Sequence, residues 1–161
     1  MKTVTTRAAA RAELLAPAGS PEALEAAVAA GADAVYFGAS AYNARMGAKN
    51  FGDEELADAI RLCRATGVKT NITVNTLAYD RELAGLLKTV ERLYILGCDA
   101  LIVADLGAAA LIHKYFPDLT LHASTQVAGH NLDAAEQLCK LGFSRMVAAR
   151  ELSYQNLKLL C

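Results

Sequence analysis

The chain has no tryptophan and few aromatic residues of any kind, 6% in all. It has no apolar run approaching the roughly 18 residues that cross a membrane, so no spanning helix is expected. Its first residues, MKTVTTRAAARA, lack the apolar centre of a secretory signal; 1–12 reads as a flexible tail and the cytoplasm as the location. Net charge is only −1, which argues against a polyanion-binding module working by bulk electrostatics. The four cysteines, Cys63, Cys98, Cys139 and Cys161, are far apart with no C-x-x-C pair. Neither a metal cluster nor a disulfide framework is expected within the chain, and Cys63 and Cys139 read as core thiols on apolar helix faces. Two enzyme signatures are missing as well. No G-x-G-x-x-G follows the first strand, and no G-x-S-x-G presents a serine on a tight turn.

What is present is apolar and rhythmic. Of 161 residues 54% are hydrophobic, much of that share Ala, Leu and Val, and mean hydropathy is +0.23. Such a mixture suits helices packed on a buried parallel sheet. Strand signals fall at Leu14–Ala16, Ala34–Gly38, Lys69–Asn75, Ala100–Ala104, Leu119–Ala123 and Met146–Ala149. Helices fill the intervals: one opens on Ser20 and Pro21, others are capped by Asp53 and Asp80, a short one runs Ala108–Tyr115, and a fifth runs Asn131–Leu141. Ser153 caps a last one. Four of these helices stop at a glycine (Gly31, Gly67, Gly97, Gly142), and each time a strand follows within a few residues.

Strict strand–helix alternation means parallel strands joined by helical crossovers. An open doubly wound sheet and a closed barrel both satisfy it. Polar residues collect at the C-terminal end of nearly every strand, where TIM-type barrels keep their sites, and this favours the barrel. A complete (β/α)8 barrel takes about 250 residues. The expectation for 13–161 is therefore a parallel TIM-type α/β barrel that stops after six βα units.

Read strand by strand, the mouth residues are Ala18 and Gly19, Tyr36 and Gly38, Asn75, Asp105, His122 through Gln126, and Arg150 with Glu151. Asn75 and Asp105 have a second reading as caps of the turns that follow. His122 and Ser124 share one side of a strand, and Asp105 would complete a Ser–His–Asp triad, but no strained elbow supports it. His113, His122 and His130 have no metal-ligand spacing, so no metal site is expected. His113, near a helix C-terminus, reads as structural. Arg45 and Lys49 lie in the long connection after strand two and read equally as anion ligands or solvated loop charges.

The blocks ELLAPAGSPEAL (13–24), GADAVYFG (31–38), NARMGAKNF (43–51), CDALIVAD (98–105), LHASTQVAGHN (121–131) and SRMVAARELS (144–153) follow one another in an unbroken order. Together they resemble peptidase family U32, also labelled collagenase-like protease. The resemblance implies peptide hydrolysis by name. For other members it implies hydroxylation of a tRNA or rRNA base, or a part in ubiquinone synthesis, with links to prephenate. It also implies an iron–sulfur cluster on cysteines beyond the point matching Cys161; none of the four cysteines here is carried over, and no cofactor is expected in this stretch itself. Carried over as catalytic candidates are Asp105, His122 and Glu151. The substrate-binding candidates are Tyr36, Arg45, Asn75, Ser124, Gln126 and Arg150, the two arginines as carboxylate ligands.

Two functions of different class stand at this point. One is an enzyme, a U32-type peptidase or RNA hydroxylase of which this is the N-terminal barrel portion, inactive alone. The other is a barrel fragment that binds a ligand or RNA without catalysis. Expected partners are an RNA or peptide substrate and prephenate, with no membrane. A six-strand barrel also leaves two free edges and an open face, and such surfaces become contacts. The purified chain is therefore expected to self-associate. Light scattering coupled to size exclusion should show a dimer whose population rises with concentration, and a compact monomer at high concentration would contradict the open-face reading.

Overall fold

The computed structural model describes residues 11–39, 41–44 and 50–160. Of the tail expected at 1–12, residues 1–10 lie outside the described residues, as do Arg45 and Lys49 among the candidate anion ligands, and Cys161. Within them β1 (Leu15–Pro17), β2 (Ala34–Gly38), β3 (Lys69–Val74), β4 (Ala100–Val103), β5 (Thr120–Ala123) and β6 (Phe143–Met146) alternate with helices. These are α1 (Pro21–Ala29), α2 (Asp53–Thr66), α3 (Asp80–Leu96), α4 (Leu106–Tyr115), α5 (Leu132–Lys140) and α6 (Tyr154–Leu160). The strands form one parallel sheet in the order β1-β2-β3-β4-β5-β6. The fold is the expected α/β barrel, not closed: among the described residues β1 and β6 each pair on one side only.

Local chemistry accounts for the element ends. The Ser20 hydroxyl accepts from Ala23 N, with Pro21 at the first helical position of α1. Gly67 and Gly97 end α2 and α3 in the left-handed region, at φ 74° and 78°, which a glycine enters without Cβ strain. The Arg64 guanidinium of α2 then crosses to the carbonyls of Leu96 and Gly97, at 3.0 and 3.1 Å, covering the end of α3.

Most expected boundaries move by one or two residues: β1 by one, β3, β4 and β5 lose one each, α4 begins at Leu106 rather than Ala108, and α5 is Leu132–Lys140. The α2 and α3 caps are Gly52 and Tyr79, not Asp53 and Asp80, which sit one residue inside their helices. In each case a glutamate three residues after the cap, Glu55 or Glu82, reaches back to the cap's backbone N–H. The sixth strand is Phe143–Met146 and not Met146–Ala149. Phe143 supplies its core contact and is 4% exposed, while Ser144 donates to the Leu121 carbonyl. Past Met146, Val147 N still bonds Ala123 O, and the chain then turns so that Ala149 N bonds Gly129 O.

Side chains on a strand alternate, and the parallel register lines them up across the sheet. One face carries Val35, Phe37, Ile72, Val74, Leu101, Val103, Leu121 and Ala123. These form one buried cluster with Leu24 of α1, Leu56 and Ile60 of α2, Leu86, Val90 and Leu93 of α3, Ile112 of α4 and Leu138 of α5. All the major helices thus share one face. The opposite face carries Tyr36, Asn71, Thr73, Ile102 and His122, adjacent through the register. Asn71, Thr73, Ile102 and His122 are at most 8% exposed although no helix covers them. The sheet curls around them, as a barrel wall does.

If the helix-facing side supplies the stability, Leu101→Ala, at a position with no exposure, should lower unfolding free energy by about 2–5 kcal/mol. Leu77→Ala, at a residue 77% exposed, should change it by less than about 0.5 kcal/mol. Urea denaturation of the two variants measures both.

Candidate functional site

The curl leaves an opening of about 440 Å³ at the C-terminal ends of the strands. Its wall includes Pro17, Ala18 and Gly19 after β1, Tyr36 of β2, Asn75 after β3, Gln126 after β5 and Arg150 after β6. Loops shape it. The β2–α2 connection folds back through a parallel bridge between Ala39 and Phe51, and the Phe37 and Phe51 rings pack 4.7 Å apart. Tyr42 takes a positive φ of 58°, uncommon for a residue with a side chain. The Tyr42 hydroxyl donates to the Glu82 carbonyl, and Thr76 N donates to the Tyr42 carbonyl, so this loop is tied to α3 and to the end of β3.

A chain of amides and hydroxyls joins the strand ends. Asn43, 4% exposed, donates through Nδ2 to Asn50 Oδ1 at 2.7 Å. The Thr73 hydroxyl lies within hydrogen-bonding distance of Asn43 Oδ1 and of the Phe37 carbonyl, at 3.3 and 3.2 Å. Ala44 N donates to Asn75 Oδ1 at 3.1 Å, and Asn75 Nδ2 makes a long 3.5 Å contact to Ser124 Oγ. That oxygen also accepts from Gln126 N at 3.3 Å. Gly38 makes room: a Cβ there would stand 1.8 Å from Asn43 Nδ2.

Of the residues singled out from the sequence, Tyr36, Asn75, Gln126 and Arg150 meet at this opening, with Ser124 behind Asn75. Arg150 is exposed and pairs with no carboxylate among the described residues. Glu151 follows it, exposed, in the turn after β6. Asp105 stands at the mouth end of β4, but both its oxygens are engaged: Oδ1 accepts from Ala108 N at 2.8 Å, capping α4, and Oδ2 accepts from Ala78 N at 3.1 Å. His122 goes elsewhere. It faces inward like Ser124, but two residues earlier on the strand is about 7 Å nearer the other end.

There His122 shares a chamber of about 350 Å³ with Glu13, Lys69, Asn71, Asp99 and Arg145. The Glu13 carboxylate binds Arg145 at 2.7 Å and Lys69 at 3.5 Å, linking the segment two residues before β1 to β6 and to β3. Ser124, His122 and Asp105 make no hydrogen bond to one another among the described residues, so no triad is assembled. No group of three His, Cys, Asp or Glu residues suited to a metal occurs among them either. Cys63 and Cys98 are buried, their thiols pushed up to about 11 and about 12 by burial first and by Asp99 second. Such thiols resist the deprotonation that a metal or cluster ligand requires. Asn43, Asn50 and Thr73 were not foreseen, because their partners lie seven to thirty-six residues away and no local motif marks them.

The site and fold together define a barrel of TIM type with an opening at the C-terminal strand ends, its wall made of apolar side chains such as Leu15, Phe51, Ile102 and Val147 with Tyr36, Asn75, Gln126 and Arg150 set among them. The model of peptidase family U32 matches residues 19–161, and the chain belongs to that family. It is 36% identical over 148 residues to the 23S rRNA 5-hydroxycytidine C2501 synthase of Escherichia coli, covering 92% of this chain and 22% of that protein. It is 36% identical to tRNA hydroxylation protein P1 of Bacillus subtilis (88% and 33% covered) and 35% identical to the collagenase of Porphyromonas gingivalis (91% and 35% covered). The chain thus spans roughly a fifth to a third of these relatives. Among solved structures, the U32 peptidase Mk0906 superposes with a TM-score of 0.71 at 15% identity, over 88% of this chain and 60% of that one. A type I 3-dehydroquinate dehydratase of Clostridium difficile superposes at 0.59 and 15% identity over 86% and 57%, a likeness of fold alone. No helix among the described residues is long and apolar enough to cross a membrane.

The chamber makes a prediction about acid. Burial first, then the nearby Arg145, pushes the His122 imidazole from 6.5 down to about 4; Glu13 opposes this and Lys69 adds to it. Between pH 6.5 and 4 the unfolded chain takes up a proton at His122 that the folded chain refuses, so stability falls as pH falls through that window. Glu13 is held below 4.5, chiefly by its hydrogen bond from Arg145, and contributes a further loss at lower pH. Urea midpoints measured from pH 7 to pH 4 should decline, and His122→Gln should flatten that decline.

Proposed function

We propose that this barrel portion binds an RNA base at its C-terminal opening, within a protein that hydroxylates tRNA or rRNA. The observation that carries the reading is the lining itself. Tyr36 offers an aromatic surface, Asn75 and Gln126 offer amides, and Arg150 offers a cation with no carboxylate partner, around a volume in the range of small-ligand pockets. Amides hydrogen-bond the edges of an unstacked base, aromatic rings stack on it, and an arginine holds a phosphate or carboxylate. Relatives named for rRNA and tRNA hydroxylation support the same reading.

Peptide hydrolysis, the activity in the family's name and in that of the Porphyromonas relative, draws less from this site. A serine hydrolase needs a base beside its nucleophile, and Ser124 Oγ instead accepts from Asn75 and Gln126. In the RNA reading Asp105 positions loops rather than moving protons, and Glu151 is the exposed acid next to the anion-holding Arg150. Prephenate, a dicarboxylate, is the second ligand we assign to Arg150. The buried Cys63 and Cys98 thiols do not suit an iron–sulfur cluster, and Cys139 is exposed on α5 rather than a core thiol, so no step of this proposal is routed through one. An RNA substrate places the work in the cytoplasm.

Deleting the gene and analysing nucleosides from total tRNA and rRNA by mass spectrometry tests the reading. A hydroxylated pyrimidine should disappear. Wild type and the surface variant Ile95→Ala should restore it, while Asn75→Ala and Arg150→Ala should restore it at least about tenfold less well. Unchanged RNA together with loss of a peptidase activity would overturn it.

A further inference from the structure

We infer that Asn43 is a positioning residue for Asn75, and that it sets which hydrogen-bonding group Asn75 offers to a ligand. An asparagine amide can be turned over at almost no cost unless its neighbours distinguish oxygen from nitrogen. Here they do. A backbone N–H, that of Ala44, points at one end of the Asn75 amide, which must therefore be the oxygen. The other end is the NH2 group, whose 3.5 Å contact to Ser124 Oγ engages one hydrogen. The second hydrogen has no partner among the described residues, and Asn75 lines the opening. The group so presented is a donor, which selects a ligand with a carbonyl or phosphate oxygen at that point.

The orientation depends on where Ala44 N lies, and Ala44 is an exposed loop residue. Its immediate neighbour Asn43 is the fixed point: buried, bonded to Asn50 across the loop and facing the Thr73 hydroxyl on β3. Gly38 leaves the space that Asn43 fills, since a Cβ there would lie 1.8 Å from Asn43 Nδ2. Gly38, Asn43, Ala44 and Asn75 thus form a relay from the inner face of β2 to the ligand surface, and Asn43 acts in it without touching ligand.

The proposal rests on the RNA reading only for its probe, a uridine–cytidine hexaribonucleotide. Affinity by fluorescence anisotropy and amide exchange of Ala44 by NMR are measured for wild type, Asn43→Ala, Asn75→Ala and the double variant. Asn50→Ala, which removes the Asn50 partner of Asn43 and leaves Asn43 itself in place, stands in if Asn43→Ala does not fold. Asn43→Ala should speed Ala44 exchange at least about tenfold and weaken binding about as much as Asn75→Ala, with the double variant no weaker than Asn75→Ala alone. Purely structural damage would add to the Asn75→Ala loss; additive losses, or unchanged Ala44 exchange, overturn the inference. Failure of the wild type to bind the hexamer would count against the RNA reading, and Ala44 exchange together with the Asn75 side-chain amide signals would still decide the role of Asn43.

Discussion

Successive side chains on a strand point to opposite faces, and in-register parallel pairing turns that alternation into two continuous surfaces. Everything else in this chain depends on it. Val35, Ile72, Leu101 and Leu121 are each one residue away from Tyr36, Asn71, Ile102 and His122, so each strand from β2 to β5 presents an apolar residue outward and a second set inward. The outward set meets all the major helices and forms the single buried cluster. Because the core is secured on that side, the inward face tolerates asparagine, threonine and histidine, which a two-sided sheet core would exclude.

The inward face is divided along the strand axis into two environments of different chemistry. At the N-terminal end full charges are paired: Glu13 joins Arg145 and Lys69, and His122 is held neutral beside them. The Nδ2 of Asn71 lies in that same region with no hydrogen-bond partner among the described residues. At the C-terminal end the groups are neutral amides and hydroxyls joined in series, with Arg150 the cation at the rim. Paired charges at one end tie strands together; at the other, the second Nδ2 hydrogen of Asn75 and the exposed Arg150 guanidinium keep hydrogen-bonding capacity for a ligand. The direction of the strands decides which end is which, because the loops long enough to carry Asn43, Gln126 and Arg150 all follow strands rather than precede them.

The order of elements was readable because glycines at the helix ends and apolar runs after them are local signals. Six strands and their sequence in the sheet follow from that rhythm together with right-handed crossovers. β6 was displaced because Met146–Ala149 is the more apolar run, whereas pairing with β5 is decided by Phe143 reaching the core. For the site, the alternation rule identified the face of His122 correctly but not its depth, since two residues along a strand separate the ends of a barrel interior. Asp105 shows the opposite problem: it sits at the expected end, and its carboxylate is consumed by Ala78 and Ala108 backbone groups. Asn43 could not be read at all, because its meaning comes from Gly38, Asn50 and Thr73, which only the fold brings together.

Membership of peptidase family U32 leaves open two chemistries by name, and where a ligand sits on the barrel distinguishes them better than the family's label does. Hydrogen–deuterium exchange of the chain with and without a saturating single-stranded RNA measures that location directly. The account predicts slowed exchange in 41–44, 75–79, 124–131 and 147–153, the segments around the C-terminal opening, with 11–14 and 143–145 unchanged. Slowed exchange confined to the Glu13, Lys69 and Arg145 end, or to the outer faces of the helices, would contradict it.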